Sequence, residues 1–206
     1  MKRMYSALAA VAAGALLLTG CSGGGDDAAL KKDVESLKAS VAKLEKATGL
    51  ATPEPRKVSE FKDFGFKLPL PDGLQVQTAG LAGAAKASND EGQLTASSGG
   101  VGMVLIWTKK SIDNKAAVQG AFELLQSSQP TLEFKPVSQG DLKVDSQTGV
   151  FGSFAAQDKQ QKVAAVGAIG SWACKGQVYT LTVAGSNQQA VEGSFSGFSS
   201  GFKCPA

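Results

Sequence analysis

Residues Val101 to Thr108, VGMVLIWT, are apolar at nearly every position, so a strand made from them would be buried on both faces. A fold built around such a strand must supply neighbouring strands and a covering layer. Phe64 to Leu68 reads as extended, and Pro71-Asp72-Gly73 as a turn before a further run from Leu74 to Gln77. Four more strand-like runs follow at 141–145, 150–156, 163–172 and 177–184. In the last, Tyr179, Leu181 and Val183 alternate with Val178, Thr180 and Thr182, and polar pairs at Asp158-Lys159 and Lys175-Gly176 mark hairpin turns. Residues 78–100, rich in Ala, Gly and Ser with charges at Asp90 and Glu91, read as an irregular or mobile insertion.

Two stretches have helical spacing. Asp113 can cap a helix running to Ser128, with Ala117, Ala121, Leu124 and Leu125 as its buried stripe and Pro130 enforcing the stop. Val191, Phe195, Phe198 and Phe202 form the apolar stripe of a second, beyond which Cys204 could reach back to Cys174. The succession of strands, helix, antiparallel strands and helix predicts an α+β domain over 61–206, an antiparallel sheet flanked by two helices.

The amino-terminal quarter is of another kind. Lys2 and Arg3 precede an apolar run from Ala7 to Leu18, too short for a membrane span, which ends in Leu18, Thr19, Gly20 and Cys21. This arrangement resembles the lipobox of bacterial lipoproteins. The resemblance implies that residues 1–20 are a signal peptide and that Cys21 becomes the lipidated first residue of the mature chain. Several acyl chains on one residue give durable anchoring, each buried CH₂ contributing about 0.8 kcal/mol. Ser22 after the cysteine resembles the outer-membrane pattern: the protein would face the periplasm from the outer membrane in a cell with two membranes, and otherwise the outer face of the cell membrane.

A glycine-rich tether, 21–25, leads into residues 26–49, where Leu30, Val34, Leu37, Val41 and Leu44 are spaced alternately by four and three. That spacing is a heptad seam of valines at a and leucines at d, the combination that favours a parallel dimer through residues 28–48. The same seam serves equally well a single amphipathic helix that packs on its own domain, and both readings stand on the sequence. The segment is also similar to the start of murein-lipoprotein helices. Residues 50–60, with Pro53 and Pro55 and no hydrophobic period, read as a semi-rigid linker.

With Cys21 assigned to lipid, the other two of three cysteines, Cys174 and Cys204, lie in a compartment where disulfides persist. A bond between them closes a loop of about thirty residues, which contributes about 3.5 to 4 kcal/mol by restricting the unfolded chain. Histidine is absent, which excludes Ser-His-Asp and Cys-His catalysis and His-ligated zinc. Removal of the leader takes away Lys2 and Arg3 and leaves 19 basic against 18 acidic residues, interspersed rather than clustered, which speaks against nucleic acid as a partner.

The run from Phe64 to Leu74, FGFKLPLPDGL, the YTLTVAG of 179–185 and the closing Phe195-Ser-Gly-Phe-Ser-Ser-Gly-Phe resemble the Mog1/PsbP-like fold, whose members include envelope lipoproteins of the DcrB type. Leu74 stands where that family usually carries tryptophan. The resemblance implies a domain that acts as an adaptor or assembly factor.

No catalytic residue, metal ligand or cofactor motif is assigned. Asn89-Asp90-Glu91-Gly92 lacks the spacing of a calcium loop, and the stretch from Gly80 to Lys86 lacks the Gly-Lys-Ser/Thr end of a phosphate loop. Trp107 and Trp172 read as core residues. The function expected is a non-catalytic envelope lipoprotein that contacts another protein through its sheet. The alternative is a module binding a small apolar or envelope ligand in a pocket between helix and sheet; a third reading, an enzyme, would need acidic groups converging in one cleft.

Overall fold

In the computed structural model of the chain the described residues are 56–57, 59–71, 74–81 and 86–206. The leader, the lipobox with Cys21, and the seam Leu30, Val34, Leu37, Val41 and Leu44 lie outside them. Ten strands run in chain order: β1 (Arg56–Lys57), β2 (Glu60–Phe61), β3 (Leu68–Pro69), β4 (Gln75–Ala79), β5 (Glu91–Ser98), β6 (Val101–Thr108), β7 (Glu133–Val144), β8 (Gln147–Gln157), β9 (Val163–Cys174) and β10 (Gln177–Gly185). Helix α1 (Asn114–Ser128) follows β6, and α2 (Gln188–Gly201) follows β10.

Eight strands form one sheet in the order β1-β4-β5-β6-β10-β9-β8-β7, with antiparallel pairing throughout. The fold class is α+β, as the sequence predicts. β6 lies inside the sheet between β5 and β10, which explains its apolar composition. The helices cover opposite faces. On one, Val191, Phe195, Phe198 and Phe202 of α2 meet Leu105, Trp107, Trp172, Tyr179 and Leu181, and the short β2–β3 pair completes the layer with Phe61, Phe66 and Leu68. Phe66 is its centre, 5.2 Å from Trp107, 5.4 Å from Tyr179 and 5.4 Å from Phe202 between ring centroids. Trp107 and Trp172 are both fully buried. The indole N–H of Trp107 donates to the Ser88 carbonyl at 2.8 Å, whereas that of Trp172 meets no acceptor among the described residues.

Four sequence expectations need correction. Phe64 and Gly65, expected to open an extended run to Leu68, form a turn in which both have positive φ, and the strand there is Leu68–Pro69. The stripe of α1 is Val118, Ala121, Phe122 and Leu125, so Ala117 and Leu124 stand outside the buried cluster. The helix is turned because Phe122 packs edge-on against Phe134 and Phe154, at 6.2 and 6.0 Å, burying more apolar surface than an alanine would. The segment 78–100 contains the regular strand β5, joined to β6 by Gly99 and Gly100, both with positive φ. Its small residues are there to admit larger ones: Gly92 lies directly against the Trp107 indole. Finally, the strand expected at 141–145 begins at Glu133. Pro136 is accommodated at a bulge on a strand that pairs with β8 alone among the described residues.

Cys174, at the end of β9, is bonded to Cys204 beyond α2, with 5.7 Å between their Cα atoms. Lys67 and Lys203 exchange backbone hydrogen bonds at 3.1 and 2.8 Å, which ties the segment after α2 to the residue before β3.

Candidate functional site

The groups singled out as possible ligand sites have structural roles. In the Asn89-Asp90-Glu91 turn, Asp90 pairs with Lys109 at 2.6 Å, and the Asn89 carbonyl accepts from Gln177 Nε2 at 2.8 Å. Gln177 Oε1 in turn accepts the Tyr179 hydroxyl proton at 2.6 Å. Burial pushes the Tyr179 phenol far above its ordinary range, so it stays protonated and serves the chain as a fixed donor. Gly80, Leu81 and Lys86 are described, but 82–85 between them are not. Among the described residues no group of three acidic, cysteine or histidine side chains is placed to hold a metal, and no helix is long and apolar enough to cross a membrane.

A cleft does exist on the α1 face, at the far edge of the sheet. The pairings Gln139↔Gly152 and Asp141↔Val150 put these four residues on one face of β7 and β8, and they form the floor. Lys115, Val118 and Gln119, on the first two turns of α1, form the wall. The space is about 680 Å³ and opens to solvent. On its floor at Gly152 a Cβ would find Val118 Cγ1 at 3.6 Å and the Ser138 carbonyl at 3.8 Å, ordinary contact distances, so a methyl group fits there without displacing its neighbours.

Each wall is held for a reason visible in the chain. Asp113 Oδ1 accepts from the backbone N–H groups of Lys115 and Ala116 at 2.9 and 3.2 Å, which fixes the start of α1. The Asn114 side chain accepts from the Ser171 hydroxyl at 3.3 Å and sets the helix over β9. Opposite, the bulge between Pro136 and Ser138 bends β7, and the Ser138 and Ser153 hydroxyls are 2.7 Å apart just beyond it. Lys115 and Asp141 give the cleft one charge of each sign, and neither makes an ion pair with a described residue.

β7, which supplies part of the cleft floor, pairs with β8 alone among the described residues, so its outer side carries no strand there. Val137 is 68 % exposed there, more than any other large apolar side chain described. None of these residues stood out in sequence. Alternation along β8 places Val150, Gly152 and Phe154 on one face, but Pro136 and the bulge after it hide the first half of β7, including Gln139, so only 141–145 reads as a strand.

No family model and no curated protein sequence matches the chain. Solved structures do. The solution structure of cyanobacterial PsbP (CyanoP) from Synechocystis sp. PCC 6803 covers 76 % of this chain and 95 % of its own, at 12 % identity and a TM-score of 0.51. The Ran-binding protein Mog1p of Saccharomyces cerevisiae covers 73 % of this chain and 86 % of its own, at 10 % identity and a TM-score of 0.40. At such identity the likeness to PsbP is one of architecture alone: the chain has a PsbP-like fold.

Proposed function

We propose that the protein is a non-catalytic lipoprotein, anchored through Cys21 on the outer membrane or the outer face of a single membrane, that binds an extended segment of a partner protein along β7 and into the adjoining cleft. The observation that carries this reading is that the open cleft is floored in part by a twelve-residue strand whose outer edge pairs with no other strand among the described residues. An exposed strand edge offers a row of backbone donors and acceptors to a peptide, and pockets beside it select alternate side chains. Beyond the bulge, β7 runs without proline from Ser138 to Val144. Lys115 and Asp141 would orient a peptide by its charges, and the space above Gly152 suits one uncharged side chain.

Photo-cross-linking in intact cells tests this. A benzophenone amino acid at Gln139 should yield protein adducts of defined mass that the same probe at exposed Gln75, on β4, does not. Identical patterns at the two positions would refute the edge as the binding element. A second reading, a small apolar ligand, is favoured by the cleft volume, which falls within the range of small-molecule sites. It predicts that protein purified under mild conditions retains an extractable organic molecule, which is lost when Gly152 is replaced by leucine.

A further inference from the structure

Helix α1 packs on β8, β9 and β10, and the same face of the sheet continues beyond it across β6, β5 and β4. Gln77, Thr95, Val104 and Thr182 stand side by side in one cross-strand row. That row and its two neighbours, through Ala79 on one side and Gln75 on the other, carry no charged side chain from β4 to β10. Val104 is buried and belongs to neither apolar cluster, while Ile106 and Thr95 are half-buried. An uncharged strip three strands wide therefore lies beside α1. The chain enters the sheet at this half: Arg56 pairs with Val76 and Lys57 with Gln75, and β1 runs antiparallel to β4, so it arrives from the Ala79 end.

We propose that residues 28–48 lie as a helix on this strip, alongside α1, with Leu30, Val34, Leu37, Val41 and Leu44 turned onto β4, β5 and β6. The dimensions agree. Leu30 to Leu44 spans about 21 Å of helix, and an eight-residue strand such as β6 is about 26 Å long. Residues 49–55 reach about 20 Å when extended, and three strand spacings from β1 to β6 amount to about 14 Å. A helix about 10 Å across covers the strip without displacing α1. The chemistry agrees as well: the seam is wholly apolar and the lysines and glutamates lie off it, so docking buries no charge against the uncharged strip. Two neighbouring helices would then cover one face of the sheet, and the seam would be consumed within one chain instead of joining two. The lipidated end would be separated from the folded body by only the residues before position 28, which draws the domain in towards the membrane. This assignment does not depend on what the cleft beside β7 binds.

The test uses the mature, lipid-anchored chain with a benzophenone amino acid at Thr95, and in a second protein at Gln77. Irradiation should give a product of monomer mass whose peptides join the probe to a residue between 28 and 48. The double change Leu37→Asp, Val41→Asp should lower its yield at least tenfold while the fluorescence of the buried Trp107 and Trp172 stays native, the sign that the domain is still folded. Absence of the monomer-mass link from both probes would overturn the proposal. So would links found only between two copies, whether strip to seam or, from a probe at Val41, seam to seam.

Discussion

The ring of Phe154 occupies the space that a side chain at Gly167, its partner on β9, would need. Two residues earlier on β8, Gly152 faces the same side and has no such occupant. One glycine thus admits a core ring while the other leaves a hollow, and this contrast separates the packed part of the α1 face from its cleft. Gly167→Ala should destabilise the domain by about 1–3 kcal/mol, because the ring is buried between Phe122 and Phe134 and has little room to retreat. Gly152→Ala should change stability by less than about 1 kcal/mol. Urea denaturation of the two variants checks the difference.

The amino end of α1 is held by one exposed carboxylate. Asp113→Ala removes the acceptor of two backbone N–H groups and should cost about 1 kcal/mol, within the usual 0.5–2 kcal/mol for such caps. Asp113→Asn should keep most of that stability, since its side-chain oxygen accepts the same bonds. Thermal unfolding of the three proteins distinguishes these outcomes.

The bond between Cys174 and Cys204 closes a loop of 30 residues that contains β10 and α2. Replacing both cysteines by serine should lower stability by about 3–4 kcal/mol, and reductant should do the same to the native protein. Equal denaturation midpoints with and without reductant would contradict this.

After cleavage at Cys21, Tyr179 would be the only tyrosine left, because the other of the two, Tyr5, lies in the leader. The folded phenol keeps its proton well above pH 10, whereas the unfolded one releases it near 10. Above pH 10 the unfolded state therefore binds fewer protons than the folded one, and this group's contribution falls as pH rises, being fully present below 10. The phenolate absorbance of the native protein should appear only when the domain unfolds in alkali. Normal titration near pH 10 with the fold intact would show that Tyr179 is not buried.

What the sequence disclosed follows from how directly each feature is coded. β6 and β10 are recognisable from composition and alternation, and the stripe of α2 from four apolar residues at regular spacing. The stripe of α1 takes in Val118 and Phe122 in place of Ala117 and Leu124 because its orientation is set by Phe134 and Phe154, which arrive from strands later in the chain. β5 was hidden because the residues that make it fit, Gly92 beneath Trp107 and the Gly99-Gly100 turn, resemble those of an irregular loop. The cleft is hard to read for the same reason: it depends on a glycine beside Val118 on the sheet floor, and on a bulged edge strand whose proline reads as a break.

The most direct measurement of the central claim, that the cleft and β7 edge form the binding site, is the yield of partner adducts from a Gln139 photoprobe in Gly152→Leu protein. The leucine should fill the hollow beside Val118 and reduce adducts at least tenfold, while Gly152→Ala reduces them far less and both proteins keep their unfolding midpoints. Undiminished adducts in the folded Gly152→Leu protein would contradict the account.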